Sequence, residues 1–286
     1  MSPAKNLSPM TPSAPSAGSA ATLQAELTTM ASMGNYHRWI FEEVHPFLGM
    51  RIAEIGGGLG TFSQEIIEGH VRLHAESSLD VFEPAVDLHS HLRQRFLTSH
   101  ADLMAARRLA AVTGYFSASA NRYDSVVMVN VLEHIQQEDG LLADIHEALT
   151  TDGTIIVVVP ALSWLYSRFD RAVGHVRRYE KRPLCALLSK HGFKIVKAQY
   201  MDVVGAVGWY VVNVLAQSRS LNCSLAAFYD RCGIPLTRRL EHLCRPPIGK
   251  TLLVVGKKSM AGTFDLRLAA SPRSCETDTH DDRGHL

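Results

Sequence analysis

Short apolar runs alternate with amphipathic stretches along most of the chain. Arg51-Ile-Ala-Glu-Ile55 is a strand-like run that stops at a glycine cluster, and the pattern from Phe62 to Ile67 is helical and ends at Gly69. Leu79-Asp-Val-Phe-Glu83 reads as a second strand. Pro84 then opens a helix to Leu97, where its missing donor would be unpaired in any case. Ala110 to Phe116 is a third strand, and Ser125-Val-Val-Met-Val-Asn130 a fourth, apolar on both faces as a strand covered from both sides must be. A helix from Glu138 to Leu149 ends in the turn Thr151-Asp-Gly153, and Thr154 to Val159 is a fifth strand stopped by Pro160. A helix starting near Pro183 closes at His191-Gly192. After it come a strand from Phe193 to Tyr200, a helical insertion over 201–249, and a last strand from Thr251 to Gly256. Strands alternating with helices predict an α/β fold, with a mostly parallel sheet of seven strands and helices on both faces.

The ends of the chain break this rhythm. Residues 1–22 are rich in Ser, Pro and Ala without an apolar core, and residues 261–286 are polar without periodicity, so both are expected to be disordered tails around a single domain over 23–260. Val203 to Ala216 is apolar apart from Asn213, but at about fourteen residues it falls short of the roughly twenty that cross a bilayer, so no integral membrane segment is expected.

Composition narrows the function. The 286 residues carry 29 basic and 28 acidic side chains, a net charge of +1, so no field gathers phosphate polymers and nucleic acid is not an expected partner. The five cysteines match neither zinc-ligand spacing nor a disulfide framework and read as reduced thiols of a cytoplasmic protein. None of the fourteen histidines falls in a His-Glu-x-x-His pattern, and no metal is expected.

Glu54-Ile-Gly56-Gly-Gly58-Leu-Gly60 lies where the first strand turns into the first helix. Glycine is required there because a side chain would hold the backbone away from a ligand. A dinucleotide fingerprint would place its third glycine or an alanine one residue later, at Thr61, so the spacing disfavours NAD. The acid two residues before three alternating glycines, with Glu83 ending the second strand, resembles the class I S-adenosylmethionine-dependent methyltransferases. The resemblance implies a Rossmann-like methyltransferase sheet. It makes S-adenosyl-L-methionine the cofactor, Glu54, Gly56, Gly58 and Gly60 its loop, and Glu83 the acceptor of its ribose hydroxyls. That family often has an acid for adenine after the third strand, but this chain has Thr113-Gly-Tyr-Phe116-Ser-Ala, which leaves Ser117 or backbone groups for that contact.

Asn130-Val-Leu-Glu133-His134-Ile extends the resemblance to the end of the fourth strand, where the family lines the methionine part of the cofactor. Ligands of open α/β sheets bind at the carboxyl ends of strands, so Asn130 is expected at the cofactor and Glu133 and His134 at the chemistry; His134 alternatively packs beneath the cofactor. The segment Asp170-Arg-Ala-Val-Gly174-His-Val-Arg-Arg178-Tyr resembles the Gly-His-x-Arg-Arg-Tyr segment of a bacterial branch of the family, over roughly Tyr36 to Lys257. That branch implies small-molecule or cell-surface glycan substrates, and some relatives methylate methionine-like thioethers. His134 or His175 would serve as base for an oxygen or nitrogen nucleophile, whereas a thioether needs none. Arg177 and Arg178 either present forked donors to a carboxylate or phosphate or pair with Asp170 or Glu180, and Tyr179 adjoins them. Ahead of the glycines, Asn35-Tyr-His-Arg-Trp-Ile-Phe41 could fold over the cofactor, with Tyr36 and His37 as polar contributors toward the substrate and Trp39 either beside them or, like Phe41, packed in the core. The insertion is expected to cap the acceptor pocket. The expected function is methyl transfer to a small acceptor bearing a carboxylate or phosphate, with the acceptor and a homodimer as partners; a lipid-linked or glycan precursor, or a cofactor-binding partner subunit without turnover, are the alternatives.

Overall fold

The computed structural model describes residues 27–218 and 222–259. The proposed leader over 1–22, the tail over 261–286 and Cys275 lie outside them. Seven strands form one sheet in the order β3-β2-β1-β4-β5-β7-β6: β1 (Arg51–Ile55), β2 (Ser78–Glu83), β3 (Leu109–Thr113), β4 (Tyr123–Val129), β5 (Leu149–Pro160), β6 (Phe193–Met201) and β7 (Thr251–Lys258). β7 runs antiparallel between β5 and β6, and the other neighbouring pairs are parallel.

Alternate side chains of the central strands feed two separate cores. Ile55, Val126, Met128, Val157 and Val254 pack on one face under Leu142 and Ile145 of α5 (Glu138–Ala148) and Leu184 and Leu188 of α7 (Lys181–Lys190). Ile52, Val127, Ile156, Val158 and Val255 pack on the other. There they meet Ile40 and Val44 of α1 (Gly34–Val44), Phe62 and Ile66 of α2 (Thr61–Ile66), and Leu92 and Phe96 of α3 (Val86–Ser99). This period-two division explains why the middle strands are apolar at nearly every position. Two further short helices, α4 (Ala101–Ala105) and α6 (Arg168–Ala172), follow α3 and β5.

The insertion between β6 and β7 is helical. It comprises α8 (Val203–Trp209), which continues as a π-helical turn (Tyr210–Leu215), then α9 (Cys223–Phe228) and α10 (Ile234–Leu243). Asp230 ties it to α1: its carboxylate accepts the backbone N–H groups of Asn35 (3.1 Å) and Tyr36 (2.9 Å), serving a helix start where Met33 offers no capping side chain.

Three local expectations change. Gly69 does not end the first helix, which runs on as a π-helical turn (Ile67–Val71); a Cβ at Gly69 would stand 2.4 Å from the Phe41 ring, so the glycine admits α1 rather than stopping α2. The turn at Thr151-Asp-Gly153 lies inside β5, as a bulge between the pairings Tyr123↔Leu149 and Ser125↔Thr154, with Asp152 at φ +66°. The third strand stops at Thr113 because Gly114 takes φ +105°. Gly69→Ala should therefore lower stability by about 1–3 kcal/mol through overpacking against Phe41, measured by urea unfolding, and Gly140→Ala, where nothing lies within 4 Å of the added carbon, should not.

Candidate functional site

β1 and β4 are neighbours, but the chain leaves them toward opposite edges of the sheet. A crevice therefore opens beyond their carboxyl ends, the place where open α/β sheets bind ligands. The glycine loop enters it from β1. Gly56, Gly58 and Gly60 hold φ of +78°, +52° and +75°, a region that L side chains avoid. A Cβ at Gly56 would approach Val131 Cγ2 to 2.5 Å, so the loop stays bare backbone beside the chain leaving β4.

Two acids fix that loop. Glu54 is buried and accepts a hydrogen bond from Ser63 Oγ (2.6 Å) at the start of α2. Burial, aided by the nearby Glu83 carboxylate, pushes its carboxyl up to about 8, against the Ser63 hydrogen bond. Glu83 accepts N–H groups from Gly58 (2.8 Å) and Ala85 (2.9 Å), fastening the loop to the end of β2. Each of its oxygens keeps a second lone pair for another donor.

On the β4 side, Asn130 takes φ +54° and donates its N–H to Val158 (2.9 Å), turning the chain into the cleft. Glu133 is fully buried, and His134 and His175 meet edge to face with ring centroids 4.8 Å apart. Burial and then His175 depress the His134 imidazole to about 4, against a hydrogen bond to the Gly174 backbone, so His134 is neutral across the physiological range. His175 is held from behind: Nδ1 lies 3.0 Å from Asp170 Oδ1, and Nε2 lies 3.9 Å from Glu133 Oε1.

Asp170 organises this loop. Its carboxylate accepts from Arg178 Nε (2.8 Å), Ser167 N–H (2.8 Å) and Ser167 Oγ (2.8 Å), and it completes a capping box on α6. Burial alone would raise its carboxyl, but the His175 hydrogen bond and the Arg178 charge hold it below its ordinary value. Arg178 also donates to the Ala161 carbonyl (3.2 Å) and lies over the Trp209 ring at 4.6 Å.

One open cleft is lined by Glu54, Gly56, Gly57, Gly58, Asn130, His134 and His175. Its remaining wall includes His37, Thr61, Phe62 and the helical stretch 27–31 through Leu27, Met30 and Ala31. Donor atoms of Glu133, His134 and His175 lie within 4.8 Å of one another. Ligands of one zinc ion sit about 3.3 Å apart at bond lengths of about 2.0 Å, so these three would have to close further to share an ion.

The other residues marked in the sequence fall elsewhere. Ser117 is exposed and is not part of the cleft lining. Trp39 packs in the core beneath α1 and lines a separate cavity with Glu43 and Arg245, because its position on α1 points it away from the glycine loop. Tyr36 is buried with its hydroxyl 2.6 Å from Thr251 Oγ1. Arg177 pairs with Glu138 (2.6 Å) and the Gln136 carbonyl (3.0 Å) rather than facing a ligand. The single Tyr179 O–H proton is within reach of two acceptors, the Leu132 carbonyl (2.9 Å) and Glu138. Both arginines are thus committed to carboxylates of the protein, Arg178 to Asp170 and Arg177 to Glu138, and Glu180 instead accepts from Ser163 (2.9 Å) and Tyr200 (3.1 Å). Beside Tyr36 lies a pair that carries no local motif: Lys250 and Asp202 at 3.0 Å, with Tyr229 hydroxyl donating to the same Asp202.

Residues 34–198 match the family model of the methyltransferase domain, and the chain belongs to that family. It is a methyltransferase. Solved structures share the fold at low identity. A protein assigned as a sarcosine dimethylglycine methyltransferase from Galdieria sulphuraria is 13% identical with a TM-score of 0.52, over 78% of this chain and 85% of that one. Phosphoethanolamine N-methyltransferase 2 of Haemonchus contortus, solved with S-adenosyl-L-methionine, is 13% identical with a TM-score of 0.53, over 87% of this chain and 61% of that one. A Haloferax volcanii protein assigned as a methyltransferase, solved with the Trm112 methyltransferase activator, is 11% identical with a TM-score of 0.56, over 86% of this chain and 100% of that one. No protein of curated function matches.

Glu54 gives a test by pH. Its carboxyl holds a proton to about 8 in the fold but only to about 4.5 in the unfolded chain, so its contribution to stability is complete below about 4.5 and is lost as pH rises through about 8. Glu54→Gln, which is neutral throughout, should gain on the native protein in melting temperature between about pH 5 and pH 9; a gap that stays constant across that range contradicts the buried-acid assignment.

Proposed function

We propose that the protein transfers a methyl group from S-adenosyl-L-methionine to the oxygen or nitrogen of a small acceptor held beside His134. The observation that carries this reading is the single cleft lined by both the bare glycine loop and the His134–His175 pair. Bound there, the cofactor supplies an electrophilic methyl group on a positively charged sulfur. The glycine loop presents backbone without side chains, and Glu54 offers a carboxylate whose deprotonation a nearby cation would favour. Glu83 has spare acceptor capacity for ribose hydroxyls, and Asn130 sits where the methionine part would pass.

An attacking hydroxyl or amine becomes strongly acidic only as its new bond forms, so a weak base within reach suffices. His134 is such a base, neutral above about pH 5. His175, backed by Asp170, is positioned to orient the acceptor or relay the proton. A thioether acceptor would give this buried arrangement no proton to handle, which favours oxygen or nitrogen. An acceptor carboxylate or phosphate would have to draw Arg178 from Asp170 or Arg177 from Glu138, so the arginine loop supports the shape of the site more than recognition of an anion. Trp209, on the inner side of the insertion, packs against Arg178, so the insertion adjoins the loop that carries His175. The free cysteines among the described residues accord with a cytoplasmic location.

Incubation with methyl-labelled cofactor and a pool of hydroxy, amino and thioether compounds should yield an O- or N-methylated product by mass. His134→Ala should lower kcat by about 10²–10⁴-fold without changing cofactor affinity. Titration of His134 should leave no step in the native rate between about pH 6 and pH 9, because His134 titrates below that range. A flat profile therefore does not single out sulfur; a variant that retains full rate, with a sulfonium product, does.

A further inference from the structure

The insertion wears its apolar side chains outward. Eleven of the nineteen large exposed apolar residues among those described fall within residues 204–248. They follow helical spacing. Val204, Val207, Val211 and Leu215 form one stripe down α8 and its π-helical turn, and Leu236, Leu240 and Leu243 form another on α10. Leu225 and Phe228 sit one turn apart on α9, with Phe228 67% and Leu243 85% exposed.

These stripes are not the core-facing sides of the helices. Ala206 is buried and Trp209 packs on Phe169 at 5.3 Å and under Arg178, while Ile234 and Thr237 of α10 are buried against the body of the fold. α8 and α10 thus each have a satisfied inner face and a second, uncovered apolar face, while α9 has no buried residue. A concentration of exposed apolar side chains in one segment marks an interaction site.

Charge identifies the occupant. The three acids of the insertion are turned inward: Asp202 to Lys250, Asp230 to the start of α1, and Glu241 to the N–H of Val203 (2.7 Å). Arg231, Arg239 and Arg245 are exposed. A second copy docked by two-fold symmetry would bring this arginine-bearing face against itself, whereas a bilayer with anionic headgroups would accept both the arginines and the apolar stripes. No described helix is long and apolar enough to cross a membrane, which leaves the helices to lie in its plane. Trp164, 52% exposed and edge to face with Tyr210 at 5.6 Å, adds an aromatic pair of the kind that favours the headgroup level.

We propose that the outer face of the insertion, α8 to α10, is an interfacial docking surface for an anionic lipid bilayer. It is independent of the acceptor's identity, since none of the residues of this face lines the cleft. The test is flotation of the full chain with vesicles of phosphatidylcholine alone or with about 30% phosphatidylglycerol, at about 0.1 M salt, where charge attraction persists. The expected result is at least about tenfold more protein floating with the anionic vesicles. Val207→Asp with Val211→Asp should abolish that gain, and Arg231→Glu with Arg239→Glu should reduce it about tenfold or more, each with an unchanged melting temperature. Native protein that does not float with anionic vesicles overturns the proposal. So does a folded stripe variant that floats like the native chain, or a homodimer in sedimentation that the stripe variant dissolves while flotation is unaffected.

Discussion

The reversal of strand order between β1 and β4 is the constraint on which the site rests. The chain passes from β1 through β2 to β3 on one side and from β4 to β5 on the other, so no crossover helix covers the carboxyl ends of the central pair. The gap that results is filled by two turns with left-handed residues, Gly56–Gly60 and Asn130. Those turns have to lie close together, because Gly56 meets Val131 with no room for a side chain between them. Fold and cleft are therefore set by the same contact.

A second constraint is electrostatic. Asp170, buried after β5, gathers His175, Arg178 and Ser167 around one carboxylate. An unpaired carboxylate there would be costly, and its partners in turn acquire fixed positions: His175 toward His134, Arg178 toward Trp209 of the insertion. The cleft and the insertion are joined through this loop. The same α8 helix that receives Arg178 on its inner face carries the apolar stripe on its outer face, so the loop adjoins the helix proposed to meet lipid.

Much of the fold and the glycine-loop side of the cleft can be read in the sequence because the signals are local. The spacing Glu54, Gly56, Gly58, Gly60 encodes a turn directly, and β-strand periodicity encodes the sheet. The acceptor side is less legible. Arg177, Arg178 and Tyr179 are consecutive, yet they diverge to Glu138, Asp170 and Leu132, partners 39 or more residues away for the first and last and eight for the middle one, because adjacent side chains of an extended segment point apart. Trp39 is sorted to the core by the face of α1 it occupies, which an aromatic-rich segment does not reveal. Asp202 and Lys250 meet only because β6 ends where β7 begins, across the whole insertion, and neither sits in a motif. The wall formed by Leu27, Met30 and Ala31 adjoins a Ser/Pro/Ala-rich stretch whose composition masks it.

The central claim is that the cleft between the glycine loop and His134 holds the methyl donor. A crystal structure of the protein grown with S-adenosylhomocysteine tests it most directly. The account predicts the amino-acid end of the ligand against the backbone of Gly56–Gly58 near Glu54, and its sulfur on the Asn130–His134 side. Ligand density in the separate cavity lined by Trp39, Glu43 and Arg245, with the glycine cleft empty, would contradict it.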